Sequence, residues 1–436
     1  MRSSLHFPAA IAAPIMAIAA LLSGGCSSSG GGESARIRLL NVSPGYDSLD
    51  LYSERDGESE TLRLQAVGYE SVSEYVTLDP DTYDIRLKRA GVTSSLRTLR
   101  EQHLTDDSTT TYVAFGSLGR FAVLSISEDL DEPDSGKTRI QVLNTSEAGT
   151  VDVYLTEDEA SLDDATPLFT LAPASASSAV QIDSDTYRLR VTGTNVPTDV
   201  RLDLRDVTLE SGQVITVILT ATPGGVLLNA AFLPQQGDLT MRRNTKARVR
   251  AANGVSSGAL VTAGIGGVTL MSNAIRGTIG TQYTVIDAGT QAVSLGVDGT
   301  PVMVPSQTLA AGGDYTLLAW NDADGVRATL IADDNSLPSI SGKAKIRLLN
   351  GMSGLNAPLT LHVNFFPVVE NVGLGQASNY AEVDGGSDIQ LDVNNSTTAA
   401  IVYSRHEVSL QSGGVYTLFM VGDDAATANG VLRKDR

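Results

Sequence analysis

Cysteine is almost absent from the chain, which has a single one, Cys26, among its 436 residues. No disulfide can therefore form within the chain, and its four histidines offer few ligands for a zinc site. Basic residues are also scarce, with 31 Lys and Arg against 50 Asp and Glu and a formal net charge of −19. This imbalance argues against nucleic acid as a partner and against electrostatic attachment to an anionic lipid surface, because both need clustered cations.

Sustained helical periodicity is missing from the sequence as well, since neither a heptad pattern nor a long 3.6-residue pattern of apolar residues occurs. The chain instead contains 42 glycines and 13 tyrosines. It is also rich in Val, Thr and Ser, a composition typical of strands and tight turns. Short segments that alternate apolar and polar residues recur along it. These features predict an all-β protein.

One apolar stretch without charged residues stands apart near the amino end, from Phe7 to Leu22. Its 16 residues include two prolines, so it is shorter and more broken than the roughly 20 apolar residues that a membrane-spanning helix needs. A basic start, a short apolar middle and small residues at the end form the layout of a secretory signal.

The small residues end at Cys26, and the whole segment resembles a bacterial lipoprotein signal peptide. The resemblance implies that residues 1–25 are removed, that Cys26 is acylated with chains such as palmitate, and that residues 26–34 form a Ser/Gly tether. The partner of Cys26 would then be the membrane, since two or more acyl chains hold a protein firmly at a bilayer. The resemblance also implies a place in the cell envelope, since the sorting rule of some Gram-negative lipoproteins favours the outer membrane over the inner one when Ser, here Ser27, follows the cysteine. An ordinary secretory signal and an uncleaved signal anchor are the alternatives.

Four segments of the chain open alike, and each closes on an asparagine. They are ARIRLLN at 35, TRIQVLN at 138, ARVRAAN at 247 and AKIRLLN at 344. Later landmarks recur in the same order, which indicates tandem repeats over 35–130, 138–234, 246–334 and 343–436. Each repeat holds seven or eight short alternating runs, so we predict four immunoglobulin-like β-sandwich modules. A propeller blade would need only about 40–50 residues.

Alternation predicts which side chains face the core of each module. In the first segment Ile37 and Leu39 point inward, while Arg36 and Arg38 point outward. The outward positions of the later segments carry Arg139, Arg248, Arg250, Lys345 and Arg347. We interpret these charges as a device against edge-to-edge pairing of the first strand, with a basic stripe for a polyanion as the alternative. The short, proline-containing linkers predict an extended or gently bent string of modules.

The first two modules resemble a bacterial family, the domain-of-unknown-function family 4397. The stretches that carry the resemblance are RIRLLNVSPGYDSLDLY (36–52) and RIQVLNTSEAGTVDVY (139–154). Asp50 and Asp152 match the Val-Asp-Val-Tyr step of the family, and Tyr83 and Tyr187 match its turn tyrosine. Modules 3 and 4 lack the aspartate, and they replace the tyrosine with Gln291 and Asp388. The resemblance implies secreted or lipid-anchored β modules and brings no known chemistry.

Carboxylates beside turns are the candidates for metal binding, namely Asp79, Asp81, Asp183 and Asp185. Their oxygen atoms suit calcium, although the twelve-position loop of helix-loop-helix calcium sites is absent. The alternative is that these side chains cap backbone NH groups of their own turns, as aspartates commonly do. We favour the turn interpretation and therefore predict no metal and no cofactor.

Other motif matches are weak. GVSSG at 254–258 fits the Gly-x-Ser-x-Gly pattern with Ser256 as the nucleophile, but that pattern works where a strand turns into a helix, and here a loop is predicted. The SGKT around Lys137 lacks the first glycine of a phosphate-binding loop. His103, His362 and His406 occupy non-equivalent positions of modules 1 and 4. We therefore predict no catalytic residue.

The function that the sequence favours is that of a lipid-anchored, non-enzymatic envelope protein that acts as a multi-module binder or spacer. Loops at the ends of sandwiches are common recognition sites, so a glycan or a protein is the expected partner. The weakly charged module 3 is a candidate for docking, unless it is simply glycine-rich. The alternatives are an envelope enzyme that acts on polysaccharide through paired carboxylates and a purely mechanical scaffold.

Overall fold

The computed structural model describes residues 34–256, 258–355 and 357–436, so Cys26 and the predicted signal and tether up to residue 33 lie outside the described residues. Every regular element in these ranges is a β-strand, which confirms the all-β prediction. The strands fall into four consecutive groups, and each group builds two packed sheets of four to six strands. The third group also has a separate two-stranded sheet. We call these groups modules 1 to 4.

The strands of modules 1 and 2 have the following bounds. Module 1 contains β1 (Ala35–Asn41), β2 (Ser48–Arg55), β3 (Thr61–Gly68), β4 (Ser71–Val72), β5 (Val76–Leu78), β6 (Asp81–Arg89), β7 (Ser95–Leu104), β8 (Thr109–Phe115) and β9 (Ala122–Ser127). Module 2 contains β10 (Lys137–Asn144), β11 (Val151–Thr156), β12 (Phe169–Leu171), β13 (Ser175–Ala176), β14 (Val180–Asp183), β15 (Thr186–Gly193), β16 (Val196–Thr208), β17 (Val214–Ala221), β18 (Leu228–Pro234) and β19 (Thr240–Arg242).

Modules 3 and 4 repeat the same succession. Module 3 contains β20 (Lys246–Asn253), β21 (Val261–Ile265), β22 (Val268–Ala274), β23 (Thr284–Asp287), β24 (Gly289–Gln291), β25 (Val293–Val297), β26 (Thr300–Val302), β27 (Gln307–Leu309), β28 (Asp314–Asp322) and β29 (Gly325–Asp333). Module 4 contains β30 (Lys343–Gly351), β31 (Leu359–Val363), β32 (Phe366–Val372), β33 (Gln376–Ala377), β34 (Ala381–Asp384), β35 (Gly386–Asn395), β36 (Ile401–Leu410), β37 (Val415–Val421) and β38 (Asn429–Lys434).

Each module is a sandwich of a first sheet and a second sheet. In module 1 the first sheet has the order β4-β1-β8-β9, with β5 also paired to β1, and the second sheet has the order β3-β2-β6-β7. β1 runs parallel to β8, and the corresponding pairs in the other modules are parallel too. The sandwich class is as predicted, but this order differs from the ABED and CFG sheets of constant immunoglobulin domains.

The first strand is therefore central in its sheet, which makes the edge-strand interpretation of its arginines wrong. β1 pairs with β4 and β5 on one side and with β8 on the other. Ile37 and Leu39 are fully buried in the core of module 1, as alternation predicts. Arg38, on the opposite face of the strand, is only 3% exposed because that face is also covered.

Neighbouring modules cover these outer faces by packing their first sheets against each other. Leu40 and Phe115 of module 1 share an apolar cluster with Leu143 and Ile218 of module 2. An equivalent cluster joins modules 3 and 4. The prediction of an extended string is therefore wrong, because the modules lie side by side in two pairs, which we call pair 1:2 and pair 3:4.

The asparagine that closes each repeat connects the two sheets of its module. Asn41 donates from Nδ2 to the Val67 carbonyl at the end of β3, and its Oδ1 accepts a hydrogen bond from the Ser43 NH. Asn350 makes the same contacts with the Val372 carbonyl and the Met352 NH. Asn144 and Asn253 form equivalent bonds, and all four asparagines are buried. A short amide side chain thus satisfies backbone groups of both sheets, which explains why it recurs.

Candidate functional site

The aspartates proposed for calcium are engaged with basic side chains and turns of the described structure. Arg55 lies between Asp79 and Asp81, at 2.8 Å and 3.2 Å from their carboxylate oxygens. Its guanidinium thus occupies the place where a cation would bridge this pair. Among the described residues there is no group of three or more His, Cys, Asp or Glu side chains that could hold a metal ion.

The second pair of aspartates is placed similarly. Asp183 accepts a hydrogen bond from Lys137 Nζ at 2.7 Å, and Asp185 Oδ1 accepts one from the Thr186 NH at 2.7 Å. Tyr187 donates to the Asp183 carbonyl at 2.8 Å, and Tyr83 makes the corresponding bond to the Asp79 carbonyl. These residues therefore stabilise the backbone of the turns in which they lie.

The family aspartates have a structural role in the second sheet. Asp50 accepts hydrogen bonds from the NH groups of Ala66 and Gly91, which fastens β2 to the end of β3 and to the turn after β6. Asp152 accepts a hydrogen bond from the Thr170 hydroxyl on β12 and one from the Asn195 NH in the turn after β15. The hydrogen bonds of the two aspartates thus stabilise turns and bulges of the second sheet, and these side chains do not line an open site.

The remaining motif residues lie apart from one another. Ser256 is in the loop after β20, where its NH and hydroxyl both donate to Asn321 Oδ1, and no helix follows in the described part of that loop. His103 contacts Thr82 in module 1. His362 and His406 lie on β31 and β36 of module 4, and His406 Nε2 is 3.5 Å from Ser404 Oγ. Ser404 Oγ donates to Asp392 Oδ1 at 2.6 Å, so these contacts do not show a serine that donates to a histidine held by an acid, the order that hydrolysis needs.

Sequence reasoning missed a buried ionic centre between modules 3 and 4. Arg250 of module 3 binds Asp435 of module 4 at 2.5 Å, and Arg347 of module 4 binds Asp333 of module 3. All four side chains are at most 2% exposed. The exchange is reciprocal, as in an isologous interface in which each partner offers the same patch to the other.

Hydroxyl and ring contacts complete the centre. Asp333 accepts hydrogen bonds from Thr316 and from the hydroxyl of Tyr283, both at 2.7 Å. The Tyr283 ring lies 4.7 Å from the Arg250 guanidinium carbon, a cation–π arrangement. Tyr380 contacts Arg347 in the same way in module 4. Burial raises the pKa of Tyr283 well above its ordinary value, so the phenol stays a neutral donor.

Electrostatics favours the charged forms of the ionic centre. Burial opposes the charge of Asp333, but Arg347 and Arg250 outweigh it and lower the pKa of this carboxyl. Burial likewise opposes the charge of Arg250, but mainly Asp435 outweighs it, and the pKa of Arg250 is raised. Asp333 and Arg250 therefore carry their charges across the physiological pH range, at the contact between the two first sheets.

The same positions differ in pair 1:2. In module 1, Arg38 binds Glu128 at 2.7 Å and lies 4.5 Å from the Tyr75 ring. Glu128 also accepts a hydrogen bond from the NH of Gln236, and Arg38 donates to the Gly237 carbonyl, so the set reaches into module 2. By strand register, the equivalent residues of module 2 are uncharged, namely Gln141, Ala179 and Gln235.

A cavity of about 280 Å³ lies where the two pairs meet. The loop after β8, the loop after β17, the linker before module 4 and Arg436 all contribute to its wall. A second, more open cavity of about 450 Å³ borders Tyr380, Lys345 and Glu382. A third cavity, of about 420 Å³, lies between modules 2, 3 and 4 and includes Asp199, Arg248 and Asp435 in its wall.

A family model described as "Domain of unknown function (DUF4397)" matches residues 35–154 and 247–358. These ranges cover more than half of the chain, so the chain belongs to this family. Each matched range spans one whole module and continues into the next. The second range includes module 3, for which the sequence offered internal repetition as the main evidence.

Other comparisons add little about function. No curated protein matches the chain. A matching solved structure is CBMbc, a family CBM26 module from Eubacterium rectale Amy13K in complex with maltoheptaose. It is 14% identical, the match covers 48% of this chain and 95% of that one, and the TM-score is 0.15. At this TM-score the likeness carries no argument about what the present chain binds. The described residues contain no helix of the length and apolarity needed to cross a bilayer.

Proposed function

We propose that the chain is a lipid-anchored, non-enzymatic protein of the bacterial envelope that holds its paired modules as a stiff spacer and presents a binding surface to a partner. The observation that carries this proposal is the burial of the contacts between modules. Apolar clusters join the modules of both pairs. Buried ion pairs also cross between modules 3 and 4, whereas in pair 1:2 the buried Arg38 and Glu128 of module 1 form hydrogen bonds with Gly237 and Gln236 of module 2. Modules connected in this way cannot swing independently, in contrast to beads on flexible linkers.

Contacts between the pairs support the same proposal. The Gly224 NH donates to the Gly312 carbonyl at 2.9 Å, which links module 2 to the turn before β28. Arg436 Nη1 donates to the carbonyls of Gly225 and Asn335, both at 2.9 Å. These bonds connect the two pairs through backbone groups, so the stiffness extends over the whole described chain from residue 34.

The anchor is tested by labelling and fractionation. We expect the full-length protein to incorporate labelled palmitate and to sediment with membranes, and we expect the Cys26→Ala variant to do neither. Ser29→Ala in the same serine-rich segment is the matched control, because it leaves the acylation site intact. Retention of the Cys26→Ala variant in the membrane fraction would refute the anchor.

Stiffness is tested by limited proteolysis of the linkers at 127–137, 233–246 and 332–343. Parts of these linkers are buried, including Pro133, Asn244 and Asn335. Since a protease needs an exposed and locally unfolded segment, we expect the native linkers to resist concentrations of protease that cut an unstructured peptide of the same sequence. Rapid release of single modules would refute a stiff spacer.

The partner is sought with the intact protein on a glycan array and in an envelope pull-down. Saturable binding to one class of glycan, or to one envelope protein, would identify the partner class. Failure of both, with the anchor and the stiffness intact, would leave the mechanical scaffold as the function. Protease treatment of whole cells then determines whether the modules face outward or into the periplasm.

A further inference from the structure

The cavity where the pairs meet has an apolar wall with a single unusual cation. Pro44, Leu118, Ala221 and Pro223 supply much of its surface. Its volume of about 280 Å³ lies near the lower end of the range for ligand pockets, roughly 300–1,000 Å³. A ligand held entirely inside it is therefore small.

Arg436 is the cation on the cavity wall, and it has spare hydrogen-bonding capacity. In the described part of the chain its guanidinium donates only from Nη1, to two backbone carbonyls, and it takes part in none of the ion pairs found there. A guanidinium carries five N–H donors, so the edge formed by Nε and Nη2 is left for another acceptor. Burial lowers the pKa of Arg436 to about 10, which still leaves it charged at neutral pH.

The other polar groups of the cavity wall are already engaged. Glu147 accepts a hydrogen bond from Ser117 Oγ at 2.8 Å and lies 3.3 Å from Arg120. Asp334 pairs with Lys345 Nζ at 2.6 Å. Both acids thus have cationic partners of their own. Arg436 forms none of the ion pairs found among the described residues, and Glu147 and Asp314 favour its charge only through longer-range attraction. Among the residues that line this cavity, Arg436 is therefore the cation with hydrogen-bond donors left for an anion.

We propose that this cavity binds a small carboxylate that carries a short apolar tail, with the carboxylate on the Nε and Nη2 edge of Arg436 and the tail against Leu118, Pro44 and Pro223. Arginine suits a carboxylate because its fork matches both oxygens. An apolar tail suits the wall because its burial removes it from water. Binding in this cavity requires neither the lipid anchor nor the spacer role, so its test is separate from theirs.

The test uses octanoate as the probe, with the full-length protein in isothermal titration calorimetry. We expect saturable binding of octanoate and at least tenfold weaker binding of octanol, acetate and inorganic phosphate. Octanol lacks the charge, and the other two lack the tail. Arg436→Gln is expected to weaken octanoate binding at least tenfold.

Two further variants distinguish a loss of octanoate binding from a loss of folding. Arg405→Gln removes an exposed arginine of β36 in the same module and is expected to bind octanoate like the parent protein. Leu118→Asp leaves Arg436 in place but puts a charge on the exposed apolar wall, and it is expected to weaken octanoate binding. Equal binding of octanol and octanoate, binding of acetate as tight as octanoate, or unchanged binding by a folded Arg436→Gln variant would each overturn the proposal.

Discussion

The substitution Asp333→Asn tests whether the ionic centre holds pair 3:4 together. It keeps the size of the side chain but removes the charge that faces Arg347 and, at 3.7 Å, Arg250. Asp333 also accepts hydrogen bonds from Thr316 and Tyr283, so an amide in its place satisfies only part of this set. Breaking one partner of a buried ion pair costs about 3–5 kcal/mol, because the other charge stays buried without compensation. We expect a loss of this size in the free energy of unfolding.

Equilibrium denaturation in urea measures that loss, and Asp384→Asn provides the matched control. Asp384 pairs with Lys343 at 2.7 Å, but its side chain is 89% exposed. Exposed pairs contribute roughly 0–1 kcal/mol, so the control is expected to change stability little. If the two substitutions cost the same, the buried charges do not hold the pair, and the reasoning is refuted.

Acid adds a second signature to the same experiment. The pKa of Asp333 is lowered in the folded protein, so its carboxylate contributes stability that is complete above the unfolded value of about 3.9. That contribution declines as the pH falls below this value and is lost once the pH has passed the lower folded value. We therefore expect the parent protein to lose stability below about pH 4 and the Asp333→Asn variant to show a shallower loss there.

Three further outcomes can be checked. Asn350→Ala should destabilise the protein by about 2–3 kcal/mol in the same denaturation assay, because it leaves a buried carbonyl and a buried NH without partners; a loss under about 0.5 kcal/mol would contradict this. Phe365 is 72% exposed at a φ of +70°, so Phe365→Gly should raise the unfolding free energy by up to about 1 kcal/mol. Gly267→Ala at the matching turn of module 3, where an added Cβ meets no atom within 4 Å, should lower it. Millimolar calcium should give no heat on titration, since Arg55 lies against Asp81; a saturable signal lost in Asp81→Asn would contradict the turn interpretation.

Alternation in the sequence was enough to predict the sandwich cores. Ile37, Leu39 and their counterparts are buried where the period-two pattern places them. The same pattern failed for the outer face of the first sheet, because it distinguishes two faces but does not tell what covers the second one. The missed signal is the continuous apolar run in the strand beside it, such as VITVIL in β17 and YTLFMV in β37. Runs of this kind are typical of sheets buried on both faces.

The family landmarks were located correctly, but their physical roles emerge only from the contacts. Gln291 replaces the turn tyrosine in module 3 and still donates to the carbonyl four residues earlier, Asp287, as Tyr83 and Tyr187 do. A sequence pattern that asks for tyrosine misses this equivalence, because the hydrogen bond and not the ring is what recurs. For the candidate site, the sequence could not place Arg436 in a cavity, because the wall comes from loops more than 200 residues apart in the chain.

Module 2 shows that the residues needed to fold a module differ from the ionic residues found between paired modules. It carries Gln141, Ala179 and Gln235 where the other modules have a base, a tyrosine and an acid. Its own apolar core is nevertheless complete, from Ile140 to Phe232. A module therefore builds its sandwich without the ionic set, whereas each pair of first sheets contains at least one such set. Because a buried charge that lacks its partner is costly, a shifted or exchanged pairing of sheets would be penalised. We infer that the ionic sets determine which outer faces meet and in which register, while the apolar clusters supply most of the attraction between them.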